Sequence, residues 1–514
     1  MQGLESIASN RWIGYGLLAA AVTVLAVLTA VQPLVAIGTV ALVAALLVAA
    51  YFASRPWQIL ALFVFLLPPH VVLMTLLLVQ VGLPSRAVKA ISAWKEGALL
   101  LLLVLAGWRA LRARWTLKVP DLLVLLYVVL VAVSLVSSIL SGVGSRAAIA
   151  YGARDALLPV VLYMVGRCFP MTESRARCVF RWLIWAALIF SVIGIIERLF
   201  IPTEWHVLFG IPQYFQELLG LYYPPHLEGL PENYWTSSNS GRLRRAVSIY
   251  GSSQPFALSF LLLLPVTFYG AVNRALPERR LAQVALLVSL IALFLTITRF
   301  TIVACLLLLV LGALLHNRQA RRWAAVVMVV VGILFGLAVL TSSSVQLLVF
   351  NTLTFQDTSS SLRLNIWRET AEVITQQPLG YGIGSVGQTA NRFLAGGNVV
   401  AIEGQYSKIA VEFGIPGLLV YGSTLVVISL SLLVAAQRIG TPYLRGLCFA
   451  TGLTVVGLSL NALPTEWHNS PPLVYPTWWL VGACLASTPR RSAGAGLTEA
   501  TRNGSALSAP TEPA

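Results

Sequence analysis

Six charged side chains stand where apolar runs begin or end: Arg154, Asp155, Glu197, Arg198, Arg245 and Arg299. An ionisable group at the edge of hydrocarbon is costly unless something nearby neutralises it. Arg299 is the sharpest case, because Thr298-Arg299-Phe300 interrupts an apolar run over 291–313. A guanidinium stays charged and offers a rigid fork of donors, so an anionic headgroup suits it and a diphosphate suits it better. Each charge taken singly reads equally well as a snorkelling anchor or half of a local ion pair. Glu403 is the matching acid. It opens Glu403-Gly404-Gln405-Tyr406-Ser407-Lys408, just ahead of another apolar run. A carboxylate there is favoured by a helix dipole, and its functional reading is a general base at a membrane surface.

A second loop feature is Gly380-Tyr381-Gly382-Ile383-Gly384, which continues into a formal GxGxxG match from Gly382 to Gly387. No strand precedes it, so the dinucleotide reading fails and a tight turn between helices is expected. Upstream, Leu362, Ile366, Val373 and Ile374 form an apolar stripe at helical spacing. Ser359–Ser361 are placed to cap that helix, and Pro378 and Gly380 to stop it.

The elements that carry these residues follow from composition. Of 514 residues, 58% are hydrophobic and 11% charged, with a mean hydropathy of +0.82. Soluble domains carry about 25% charged residues. Runs such as 12–31, 33–52 and 121–140 reach the roughly 20 residues that cross a bilayer core. The reading is an all-α polytopic integral membrane protein with about 12–14 transmembrane helices. Centres fall near Thr23, Val43, Leu67, Leu101, Leu130, Val160, Ile189, Ser259, Leu290, Leu307, Val331, Ser423, Val455 and Trp479. Pro68-Pro69 is expected to kink or split the third. The first run is long and followed at once by a second, which favours a retained helix over a cleaved signal.

The net charge of +16 lies largely in short loops between apolar runs, as the positive-inside rule expects, and no basic soluble domain is visible for nucleic acid. Basic clusters on alternate loops put both termini in the cytoplasm. The loop 84–94, with Arg86 and Lys89, breaks the pattern by falling outside. Residues 1–491 form a single membrane domain in this reading. Two long outer loops cover 201–245 and 341–411, the second holding the amphipathic helix; loops of that length are commonly functional. The Ala-, Gly-, Ser-, Thr- and Pro-rich stretch 492–514 reads as a disordered cytoplasmic tail. Five cysteines without CxxC spacing and five scattered histidines give no disulfide framework, metal site or cofactor.

Ser361-Leu362-Arg363-Leu364-Asn365-Ile366-Trp367, then Pro378-Leu379-Gly380-Tyr381-Gly382-Ile383-Gly384, resembles the signature loop of the O-antigen ligase and polymerase superfamily. Glu412-Phe413-Gly414-Ile415-Pro416-Gly417-Leu418-Leu419 looks like the end of that signature. Arg245-Ala246-Val247-Ser248-Ile249-Tyr250-Gly251 and Thr298-Arg299-Phe300 are similar to the family's two arginine-bearing entries to spans.

The resemblance implies a bacterial inner-membrane glycosyltransferase facing the periplasm. It would take glycan from a polyprenyl-diphosphate-linked oligosaccharide and pass it to a hydroxyl of a glycan or lipid acceptor, without metal or cofactor. Arg245 and Arg299 would hold the diphosphate and Glu403 would accept the proton, with inversion at the anomeric carbon. Arg363, Arg154, Arg198 and Tyr406 are the expected substrate-binding residues. Ligases of the family carry a histidine about eleven residues before Gly414, where this chain has Glu403. A free Glu, near 4.3, is a weaker base than a His, near 6.5. The exchange favours a surface-polysaccharide or exopolysaccharide polymerase, working with assembly or chain-length partners, over an O-antigen ligase acting on lipid A-core or protein. The alternative of another class is a polysaccharide transporter or lipid flippase, whose polar sites belong near the midplane and within repeats.

Overall fold

The computed structural model describes residues 47–488, apart from 49, 113–116, 143–144, 239–240, 394–399 and most of 342–357. The expected spans around Thr23 and Val43 and the tail 492–514 lie outside the described residues. Leu67 lies at the bend that follows the first helix, and the other expected centres all fall on helices. These are α1 (Trp57–Leu66), α2 (His70–Thr75, continued by a wider turn over Leu76–Gln80), α3 (Ser85–Ser92), α4 (Trp94–Arg112), α5 (Val119–Ser141), α6 (Arg146–Cys168) and α7 (Glu173–Phe200). After the short α8 (Thr203–Phe209) come α9 (Ser253–Val272), α10 (Arg279–Leu295), α11 (Arg299–His316) and α12 (Arg318–Thr341). Last are α13 (Thr358–Gln376), α14 (Gly387–Phe393), α15 (Gln405–Arg438), α16 (Pro442–Asn461) and α17 (Pro471–Ser487).

Among the described residues eight helices are long and apolar enough to span a membrane, or nine if the pair bent by 75° at Pro68-Pro69 is one span. The protein is an all-α polytopic membrane protein. α10 and α17, at 17 residues each, are the shorter members of the bundle.

Burial sorts the helices by what they meet. α9 is buried along nearly its whole length, from Phe256 to Val272, so it is apolar on every side and forms the centre. α5 buries Val124, Tyr127, Val131, Ser134 and Ser138 but exposes Leu122, Leu125, Leu126, Val129 and Val133. In water such a face would drive aggregation; in hydrocarbon it is solvated.

α6 and α17 approach closely because each presents a glycine. A Cβ at Gly482 would stand 2.0 Å from the Tyr163 carbonyl oxygen, and one at Gly166 would stand 2.2 Å from the Trp479 carbonyl oxygen. Small residues at a crossing let two backbones meet, which is how membrane helices gain packing energy. Gly482→Val therefore forces the pair apart and destabilises by about 1–3 kcal/mol. Thermal unfolding of the detergent-purified protein reads this directly, and an unchanged midpoint would contradict the crossing.

Residues 201–245 fold into α8, short helical turns and a hairpin, β1 (Trp235–Ser238) with β2 (Gly241–Arg244), paired antiparallel with Trp235 opposite Arg244. They share a satellite core with the preceding basic loop. Val88 of α3 and Met74 and Leu78 beyond the bend pack with Tyr214, Phe215, Leu218 and Tyr234.

Candidate active site

Four expected residues converge where α10, α11, α13 and the start of α15 meet. β2 ends at Arg244, whose guanidinium binds the Glu197 carboxylate at the end of α7. Glu197 also accepts the Val247 and Ser248 N–H groups at 3.0 and 3.2 Å and lies 3.1 Å from His206 Nε2. This anchor holds the chain entering Arg245. Arg245 N donates to the Tyr234 carbonyl at 2.9 Å, and Ala246 N donates to Leu295 O at 2.9 Å.

The Arg245 side chain then reaches into the break between α10 and α11. Its Nε donates to Thr296 O at 2.8 Å and its Nη2 to Thr298 Oγ1 at 2.6 Å. The break bends through Ile297, which takes a φ of 51°, and Arg299 follows at once as the first residue of α11. Thr301 Oγ1 donates to Asn461 Oδ1 at 2.9 Å, tying α11 to the end of α16. Arg363 on α13 donates from Nε to Glu403 Oε1 at 2.8 Å, both about one-third exposed at 33% and 27%.

Burial first, then the Arg299 and Arg363 guanidiniums, push Arg245 down to about 10. Three like charges held this close repel each other. An anion with several oxygens relieves the repulsion and gains forked hydrogen bonds at the same time.

The glycine loop is a bracket rather than a nucleotide site. Pro416 has no N–H to give its i−4 carbonyl, and Gly414 takes φ 69°, so α15 breaks there. The freed groups are taken up across the break. Tyr381 N donates to Val411 O at 2.8 Å, Gly382 N to Glu412 O at 3.1 Å, and Ile415 N to Pro378 O at 2.9 Å. Ser134 Oγ adds a bond to Glu412 O at 2.9 Å. A Cβ at Gly414 would stand 2.2 Å from Pro378 O, so this contact needs glycine. α13 begins at Thr358, so the serines expected to cap it fall within its first turn.

The other expected residues go elsewhere. Arg198 donates to Arg244 O at 3.0 Å in the Glu197 anchor. Tyr406 packs against Tyr421, ring centres 6.0 Å apart. Arg154 pairs with Glu96 at 2.9 Å and Asp155 at 3.2 Å and lines a separate cavity.

Sequence reasoning missed a buried charge cluster beside this cavity. Lys408, 3% exposed, lies 3.6 Å from Glu466 Oε2. Glu412, 1% exposed and one helical turn further on, accepts the Gly384 N–H at 2.9 Å. A Lys and a Glu four residues apart at the head of an apolar run were the available signal. His468, between α16 and α17, is held down to about 3 by burial and then by Lys408, so it is neutral.

Residues 284–422 match the family model described as O-antigen ligase. That span takes in Arg299, Arg363, Glu403, Lys408 and Glu412, and stops short of Arg154 and Arg245. No curated protein matches the chain. Over this span the chain is similar to the O-antigen ligase family.

Proposed function

We propose that this protein is a membrane glycosyltransferase that passes glycan from a polyprenyl-diphosphate-linked donor to an acceptor hydroxyl at the periplasmic face of a bacterial inner membrane. The observation that carries the reading is the gathering of Arg245, Arg299 and Arg363, with Glu403 bonded to Arg363 at 2.8 Å.

The acceptor hydroxyl oxygen attacks the anomeric carbon and a new C–O bond forms. The bond from that carbon to the diphosphate oxygen breaks, and the diphosphate leaves with the electron pair. Arg245 and Arg299 bind the leaving group as its charge grows, which is where preorganised donors act most strongly. Arg363 donates to Glu403 at 2.8 Å and so orients the carboxylate that accepts the hydroxyl proton. A single displacement inverts the anomeric carbon. The guanidiniums fill the charge-neutralising role, so the step takes neither metal nor cofactor.

The Glu403 position favours a surface-polysaccharide polymerase. A ligase reading is favoured by the description of the matching family, and one experiment separates the two. Chain-length analysis compares surface glycan from cells lacking the gene with cells complemented by wild type or Glu403→Gln. A polymerase gives single repeat units on deletion, and Glu403→Gln at normal protein level restores less than about one-hundredth of the polymerisation rate. Long chains missing only from their final acceptor identify a ligase. Unchanged glycan in every strain overturns both.

A further inference from the structure

A cavity of about 470 Å³ opens beside the Lys408–Glu466 pair, within the size range of small-molecule sites. Its cations come from four separate elements: Lys89 on α3, Lys95 on α4, Arg154 on α6 and Arg392 on α14. Among the described residues, Glu466 is the one carboxylate in the lining. It is committed to Lys408 at 3.6 Å and to the Asn469 side-chain amide at 3.2 Å. Arg154 is paired with Glu96 and Asp155, and Lys95 lies 3.6 Å from Glu96. Lys89 and Arg392 have no ion pair among the described residues.

Tyr214, Phe215, Tyr223 and Tyr250 line the same space. Aromatic faces with a few placed polar groups suit sugar rings, whose C–H faces are apolar and whose edges are hydroxyls. The cations set this cavity apart from a neutral sugar site. Lys89 also sits on the one loop that breaks the positive-inside pattern, a cost that a ligand-binding role accounts for.

The cavity adjoins the reacting site through one wall. Gln254, in the lining, donates to Thr465 Oγ1 at 3.4 Å. The Thr465 carbonyl accepts the N–H of Gln405, two residues from Glu403, at 3.1 Å.

We propose that this cavity is the subsite for an acidic saccharide, a carboxylate-bearing sugar of the acceptor glycan, with Lys89 and Arg392 taking its carboxylate. The inference rests on the glycan-transfer reading. It assigns the donor's diphosphate to the Arg245–Arg299–Arg363 cluster and the acceptor's negative charge to this second, aromatic-lined space.

The test is binding of two trisaccharide probes to the full-length protein purified in detergent, trigalacturonate and maltotriose. Trigalacturonate should bind at least about tenfold more tightly, the loss that follows when charge-assisted hydrogen bonds are absent. Lys89→Ala combined with Arg392→Ala should abolish that preference, and both changes lie on exposed side chains that the fold does not need. Inorganic pyrophosphate should leave trigalacturonate bound. Equal binding of the two probes, no binding of trigalacturonate, or a preference that survives the double substitution would overturn the proposal. Displacement by pyrophosphate would give the cavity to the donor and overturn it too. Binding needs no turnover. A transfer defect with binding intact therefore faults the catalytic reading, and lost preference with transfer intact faults only this one.

Discussion

Arg299→Ala should lower the transfer rate by about 10²–10³ while the protein still folds. That is the usual cost of removing one preorganised donor from a site where charge develops. The position argues for a transition-state role. Arg299 opens α11 directly after the Thr296–Thr298 break, and Arg245 is bonded to two residues of that break. Arg299→Lys keeps the charge and loses the fork, so it should recover only part of the rate. Arg245→Ala should cost at least as much, but it also frees Thr296 O and Thr298 Oγ1, so its folding must be measured alongside. Transfer measured at saturating and limiting donor separates the roles. A change confined to KM would mean that Arg299 binds the ground state and leaving group equally.

Lys408→Met should destabilise the protein by about 3–5 kcal/mol, since removing one member of a buried charge cluster strands the others. Lys408 and Glu412 are both nearly fully buried, and Glu466 and Asp155 complete the group. The Met side chain matches the stem of Lys in length, so the loss is electrostatic rather than a cavity. Adding Glu412→Gln should restore part of the stability, because it removes one of the stranded charges. Thermal unfolding in detergent decides. A wild-type midpoint for the single substitution would mean that water reaches Lys408.

The sequence made the membrane fold legible because span length and loop charge are local properties. The Pro68-Pro69 bend, the break at Arg299 and the stop after Gln376 were all readable from single residues. Arg245 and Arg299 were legible for the same reason, since each marks an apolar edge, whereas Arg363 was named only through the family resemblance of its loop helix. What pairs with what was not legible. The Arg363–Glu403 contact crosses 40 residues, and the wall joining the cavity to the site crosses 211 from Gln254 to Thr465. Such contacts exist only after helices pack.

Lys89 shows the limit from the other side. It stood out in the sequence as a violation of loop charge, yet its counterpart Arg392 lies on a helix three hundred residues later. The hairpin Trp235–Ser238 with Gly241–Arg244 was missed although Asn239-Ser240-Gly241 is a turn signal, because its strands do not show apolar–polar alternation. Arg198 looked like a ligand from its position at a helix end; its bond to Arg244 O gives it a structural partner.

Glycan transfer by the purified protein alone decides whether it is a glycosyltransferase. Full-length protein reconstituted in vesicles is given a polyprenyl-diphosphate-linked oligosaccharide and a chelator, and products are sized by gel. Chain growth or transfer to acceptor with release of polyprenyl diphosphate is expected, and Arg299→Ala should lose it. Donor that stays intact, or that merely crosses the membrane unchanged, would contradict the glycosyltransferase reading.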